Sequence, residues 1–233
     1  MKTVIVYGAE HKGSTYNVVQ LFKKQLSIAD SDITEFFLPK DLPHFCCGCN
    51  NCFMKGEEQC PHQHYVSPIK EAMRNAELII LASPVYVFHV TGQMKAFLDH
   101  YAFQTLAHRP DASMFSKTAL IVSIGAGGGM STTIKDMQWS LKYWGISRIF
   151  SYGCAIHALS LDDMTKKEKS KMERNIVRIS KKINAIRKSK SSLSMKLLFS
   201  IFRMMQQKYG YIPYDKTYWS QQGWLDKNRP WKN

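Results

Sequence analysis

Apolar residues in the first two thirds of the chain concentrate in short segments, at residues 2–7, 33–38, 77–82, 117–124 and 146–156. These runs are rich in β-branched side chains and lack polar alternation, which predicts strands buried on both faces. Between them, apolar positions recur every third or fourth residue over 16–28, 91 to about 107, 131–143 and 165 to about 187, the period of a helix. Ser67-Pro68 predicts one more helix start, running to residue 75, with Ser67 as the cap and Pro68 in the first helical position. Five strands, each followed by a helix, predict an α/β chain: a doubly wound α/β/α sandwich around a five-stranded parallel sheet. Ligands of such sheets sit beyond the carboxyl ends of the strands, at the switch point. The loops after strands one, three and four are therefore expected to line one crevice.

The pattern changes after a polar break at 189–192. Leu193, Leu197, Ile201 and Met204 share one helical face, and Leu198, Phe202 and Met205 form an adjoining stripe. Beyond them lie Tyr209, Tyr211, Tyr214, Tyr218, Trp219, Trp224 and Trp231. The expected division is residues 1–188 as one ligand-binding domain, with a cysteine-rich insertion at 44–63, and residues 189–233 as a basic C-terminal helix and tail. The apolar stripe is expected to dock between subunits of a homo-oligomer rather than on a membrane surface.

Charge follows the same boundary. Of 233 residues, 45% are hydrophobic and 21% charged, a globular composition, and the net charge is +14. Residues 1–165 hold 14 basic and 14 acidic side chains, so residues 166–233 carry the whole excess. Lys and Arg spread all round the 165–187 helix read as a solvated face, and no nucleic-acid partner is expected. No run approaches the roughly 20 apolar residues that cross a bilayer, and the amino-terminal run is short for a secretion signal, so a cytoplasmic protein is expected.

The three crevice loops have unusual chemistry. After strand one come Gly8-Ala9-Glu10-His11-Lys12-Gly13-Ser14-Thr15-Tyr16. Free N–H groups at a helix start, with the positive dipole end, make a phosphate cradle. The three-glycine dinucleotide fingerprint and the P-loop Lys are both missing, which favours a single phosphate. The plainer alternative is that Ser14 only caps the helix. The loop after strand three, from Ser83 to Gly92, offers Pro84, Tyr86 and Phe88 to flank a planar ring, unless the aromatics are core. After strand four, Gly125-Ala126-Gly127-Gly128-Gly129 suits close passage of backbone past a ligand.

Ser83-Pro84-Val85-Tyr86 followed by Gln93-Met94-Lys95-Ala96-Phe97-Leu98-Asp99, with a cysteine segment upstream, resembles the iron–sulfur flavoproteins and their NADPH-dependent FMN reductase relatives, of flavodoxin-like fold. The resemblance covers about residues 1–187. It implies noncovalent FMN, with His11, Lys12, Ser14, Thr15 and Tyr16 at the phosphate. Pro84, Val85, Tyr86 and Val87 would lie beside the ring, and Gly125, Gly127 and Gly128 on the third loop. The chain departs from the family in having Ala9-Glu10-His11 where Ser-Pro-Arg is usual, and Phe88 where Gly is usual.

Five of six cysteines fall within fifteen residues, as Cys46-x2-Cys49-x2-Cys52-x7-Cys60 with Cys47 alongside. Overlapping Cys-x2-Cys steps can hold three corners of a 4Fe–4S cubane and a longer loop the fourth. Zinc on the same thiols, or thiols without metal, are the alternatives. His62 and His64 could be spare ligands or surface residues, and Cys154 reads as a small buried hydrophobe. The implied reaction is hydride transfer from NAD(P)H to FMN, then electron release to a quinone, nitro compound, flavin or redox protein. His89 and His157 stand near strand ends but read first as packing or surface residues. Two rival classes are a flavodoxin-like electron carrier without a turnover substrate and a protein that binds an anionic surface.

Overall fold

The sheet runs in the order β2-β1-β3-β4-β5 with every neighbouring pair parallel. In the computed structural model, which describes residues 1–156, 161–186 and 189–232, the strands are β1 (Thr3–Tyr7), β2 (Ile33–Phe37), β3 (Leu78–Pro84), β4 (Thr118–Gly125) and β5 (Arg148–Ala155). The helices are α1 (Ser14–Gln25), α2 (Asn51–Met54), α3 (Gln63–Asn75), α4 (Gly92–His100), α5 (Met130–Tyr143), α6 (Lys166–Asn184), α7 (Leu193–Lys208) and α8 (Pro213–Gln221). The chain moves outward from β1 to β2, then crosses back to β3, so the switch point lies between β1 and β3. This is the doubly wound α/β sandwich that the apolar segments predict, with the flavodoxin-like fold that the family resemblance implies.

Alternate strand residues feed two cores. Val4, Val6, Ile79, Leu81 and Ile121 pack on one face with Ile69, Met73, Phe97 and Leu141 of α3, α4 and α5. Ile5, Tyr7, Ile80 and Val122 pack on the other with Val18, Val19 and Phe22 of α1 and Ile176 and Ile183 of α6. Two buried faces explain the missing polar alternation.

Two predicted helices differ from the observed ones. The helix expected to start at Ser67 begins at Gln63, leaving Pro68 inside α3. Val66, Ile69 and Met73 form its buried stripe, so the extra turn buries Val66, outweighing the donor that Pro68 cannot offer His64. The helix expected to reach residue 107 stops at His100 and passes into a 3-10 turn at Ala102–Gln104. There Tyr101 and Phe103 stay with the α4 core while Leu106 turns into a separate cluster, a divergence that one straight helix cannot serve. Strand five is also shorter than its apolar run. His157 and the expected helix end at Arg187 lie outside the described residues.

The C-terminal segment packs on its own chain. Met195, Phe199, Trp219 and Trp224 bury against Leu106 and Phe115, with Phe202, Tyr218 and Trp231 around them. Phe115 precedes β4, at the end opposite Gly125, so these tryptophans sit away from the strand ends that face the crevice. The face carrying Leu193, Leu197, Ile201 and Met204 is exposed. Among the described residues no helix is long and apolar enough to cross a membrane.

Candidate functional site

The first crevice loop ends at an uncapped helix. Gly13 occupies the cap position of α1 with no side-chain cap, and the first turn holds no acidic residue. Ser14 is thus not the cap, and the first-turn N–H groups, with the positive dipole end, are left to meet an anion. Asn17 N–H donates back to Gly13 O at 3.0 Å, closing the first turn. The His11 ring folds over Gly13, where a Cβ would fall 2.2 Å from His11 Nε2, so a side chain here would push the exposed imidazole aside. Lys12 Nζ lies 5.3 Å from the Tyr16 ring centre and 5.7 Å from that of Phe37.

Under this loop, Tyr7 stacks on Phe37 with ring centres 4.6 Å apart and donates its hydroxyl to Glu35 Oε1 at 2.9 Å. Burial, then the Glu35 charge, push the Tyr7 phenol well above its ordinary range, so it stays protonated. Lys23 pairs with the same carboxylate at 3.3 Å.

A short polar network ties the roots of the first and second crevice loops. Buried Thr91 Oγ1 donates to Gly8 O at 2.5 Å and accepts from Met94 N–H at 3.1 Å, capping α4. Thr91 N–H donates to Ser83 Oγ at 3.2 Å. Val85 N–H reaches Ile124 O and Ile156 N–H reaches Gly125 O, both at 3.0 Å, so the β3, β4 and β5 ends are joined as well.

Tyr86 and His89 exchange backbone hydrogen bonds of 3.0 and 3.1 Å around Val87-Phe88, whose φ angles are +46° and +66°. A two-residue turn with both φ positive belongs to Gly and Asn, and a β-branched residue there is strained. Phe88 is mostly exposed and gives up little packing if lost. Phe88→Gly is therefore expected to raise stability by about 1 kcal/mol in urea unfolding, while Phe88→Ala does not. A loss of stability in the glycine variant would mean that the ring's packing outweighs the backbone strain.

These elements enclose an open cleft of about 260 Å³. Of the residues expected from sequence, His11, Ser14, Thr15, Tyr16, Pro84, Val85 and Gly125 line it; Lys12, Tyr86, Val87, Gly127 and Gly128 do not. Ala9, Gly13 and Ala126 of the expected loops also line it, as do Tyr7, Ala82, Ile124 and Ile156, which the sequence reading missed. Several are strand-end residues, a position that the switch-point rule could have supplied. In the third loop the glycine under steric constraint is Gly129, whose φ is +87° and whose added Cβ would lie 2.6 Å from Val85 Cγ1. Gly127 and Gly128 have open space around them. The cleft thus has an anion-seeking end at α1 and an apolar end at Pro84, Val85, Ile124 and Ile156, which fits a phosphorylated flat heterocycle. His89 is exposed, its Nδ1 3.0 Å from Asp136 Oδ2, and lines no part of the cleft.

The cysteine segment leaves the sheet after β2. Cys46, Cys47 and Cys49 are exposed, and Cys52 and Cys60 half-buried. Gly48, Asn50 and Gly56 turn the chain with φ of +64°, +58° and +109°. Burial, then the Cys60 and Cys46 thiols, push Cys52 up to about 11 against the pull of Arg109; burial first also raises Cys60, with Cys49, Cys46 and Cys47 adding to it. Cys46, Cys49, Cys52 and Cys60 offer an all-sulfur donor set, the chemistry that suits an iron–sulfur cluster, but among the described residues no three of these thiols are gathered closely enough to share one ion. Cys154 is half-buried against the second core.

Arg109 secures this segment from the far side. Its buried guanidinium donates to Asp215 Oδ1 of α8 and to Cys52 O, and reaches Glu57 Oε2 at 3.3 Å. His108 Nδ1–H donates to Asp215 Oδ2 at 2.7 Å, and the Tyr214 ring lies 4.8 Å from the Arg109 guanidinium carbon. Burial works against the Glu57 carboxylate, but Lys70 at 2.7 Å and Arg109 hold it below its ordinary value.

The profile of NADPH-dependent FMN reductases matches residues 1–157. An iron–sulfur flavoprotein of Archaeoglobus fulgidus is 25% identical over 97% of this chain and 100% of its own length. A Methanocaldococcus jannaschii iron–sulfur flavoprotein is 35% identical over 52% of this chain and 63% of its own. Among solved structures, an FMN-dependent NADH-azoreductase from Bacillus anthracis, in complex with FMN, superposes with a TM-score of 0.56 at 14% identity, covering 77% of this chain and all of that one.

Proposed function

The chain belongs to the NADPH-dependent FMN reductase family, and from that premise we propose that it passes electrons from NAD(P)H through FMN to a small acceptor, a quinone, free flavin or nitro compound, or to a redox protein, with a 4Fe–4S cluster on Cys46, Cys49, Cys52 and Cys60 as the exit. The observation that carries the reading is the two-ended cleft, with the uncapped α1 at one end and apolar strand ends at the other.

In this reading the α1 N-terminus, Ser14, Thr15, Tyr16 and His11 hold the phosphate of FMN, with Lys12 adding charge from outside the cleft. Pro84, Val85 and Gly125 hold its ring, and Tyr86, Val87, Gly127 and Gly128 reach it from the loop tips. FMN supplies the chemistry, accepting a hydride and releasing electrons singly or in pairs. The protein orients and shields: apolar side chains exclude water, and the Ser83–Thr91–Gly8 network fixes the loop roots against movement. A cluster would supply single-electron transfer. The four thiols would hold it, Arg109 and Asp215 bracing the chain behind them.

Residues 1–188 form the FMN-binding unit in this proposal, with the cysteine insertion at 44–63, and residues 189–233 are its brace. The exposed α7 face supports a homo-oligomer, and free thiols suit a cytoplasmic setting.

Anaerobic purification tests the reading. The expected product is a yellow-brown protein holding FMN rather than FAD, with four iron and four sulfide per chain, that oxidises NAD(P)H when an acceptor is present. Cys49→Ser should remove the iron and leave the flavin. FAD, or no flavin after reconstitution with FMN, would overturn the flavin assignment, and iron-free anaerobic protein would overturn the cluster. Flavin that cycles with a redox protein but never with NAD(P)H would favour the electron carrier.

A further inference from the structure

The second cysteine-bearing feature lies where the insertion meets α4. Cys60 Sγ, a ring nitrogen of His62 and a ring nitrogen of His100 all lie within 4.8 Å of one another. His62 Nδ1 and His100 Nε2 face each other at 2.9 Å. His100 is buried, and its Nδ1–H donates to Ala96 O at 2.7 Å. That bond fixes the tautomer, so His100 Nε2 presents a lone pair toward His62 and Cys60. A carbonyl gripping the far nitrogen is the arrangement by which proteins orient metal-ligating histidines. The His62 ring is held in turn by the His44 ring, stacked with centres 4.6 Å apart. Cys60 and His62 are half-buried, which leaves a path from solvent.

We propose that Cys60, His62 and His100 form a mononuclear site for zinc or a similar divalent ion in cluster-free protein, with the fourth position open to water or another ligand. Tetrahedral zinc with nitrogens at 2.0–2.1 Å separates them by about 3.3 Å, so the two rings need to part by roughly 0.4 Å. Binding removes the Cys60 thiol proton to solvent and moves the His62 proton from Nδ1 to Nε2, for a release of one proton per ion. Cys60 cannot serve this site and a cluster together, so the two metals exclude one another. The inference uses the proposed cluster only for that exclusion; the mononuclear site stands on its own geometry.

The test is equilibrium dialysis of the cluster-free full chain against zinc, with cobalt(II) as a spectroscopic substitute. One zinc per chain is expected, weakened at least tenfold in Cys60→Ser, His62→Ala and His100→Ala and unchanged in Cys46→Ser and Cys49→Ser. Cobalt should give a thiolate charge-transfer band that Cys60→Ser abolishes. If buried His100 does not tolerate alanine, the more exposed His62 carries the test. No zinc binding, or binding that needs Cys46 and Cys49 and ignores His62, would overturn the site. Iron and sulfide in anaerobic wild-type protein report separately on the cluster, so either reading can fail alone.

Discussion

Asp215→Ala should destabilise the protein by about 3–5 kcal/mol, the cost of leaving a buried charge without its partner. Asp215 is only 1% exposed, and both its oxygens are occupied, by His108 and by the Arg109 guanidinium. Removing the carboxylate leaves Arg109, itself 4% exposed, with Cys52 O, the more distant Glu57 Oε2 and the rings of Phe103 and Tyr214. The effect should be local as well as global. Arg109 joins α8 to the cysteine segment, so hydrogen exchange should quicken around Cys52 in the variant. FMN binding should persist, because none of these residues lines the cleft. Asp215→Asn separates charge from cavity: it fills the same space, and most of the loss should remain if the charge is what matters. Urea unfolding measures the first effect, and a loss under 1 kcal/mol would show that the brace contributes little.

The second large effect concerns the α1 N-terminus. Ser14→Asp is expected to weaken FMN binding about 100-fold while leaving the apoprotein slightly more stable. A carboxylate in the first turn complements the helix dipole by about 0.3–1 kcal/mol. The same charge about 5 Å from a bound phosphate opposes it by roughly 3 kcal/mol per charge pair at an effective dielectric near 20, which corresponds to about two decades. Opposite signs for stability and affinity distinguish an anion site from a merely structural turn. Fluorescence titration with FMN and parallel unfolding curves provide both readings; equal affinities in variant and wild type would remove the phosphate from this loop.

The architecture was legible in the sequence because its signals are local. Apolar runs such as 78–82 leave few alternatives to a strand covered on both faces, and five such segments separated by helical periods leave few alternatives to a doubly wound sheet. The crevice loops followed from that topology, and the family resemblance from the Ser83–Asp99 block. Local spacing also marked Cys46, Cys49, Cys52 and Cys60.

Where the reading slipped, distant residues were deciding. Ser67-Pro68 carries a strong helix-start signal, yet α3 begins at Gln63 because burying Val66 depends on the core around it. Which residues cover the other side of α7 was not legible either: Met195 and Phe199 bury against Leu106 and Phe115, far away in the chain, while the Leu193 stripe is left exposed on the single chain as docking between subunits requires. Arg109 and Asp215 are separated by 106 residues, as are no local motif's partners, and His62 meets His100 across 38. Sequence by itself determined this protein's five strands, its parallel-sheet class and its cysteine spacing, because a residue's period and its turn chemistry act over a few neighbours. Only the tertiary structure decided which charges pair in the interior and which nitrogens face Cys60, because those energies depend on desolvation and on distances that arise once the chain has closed on itself.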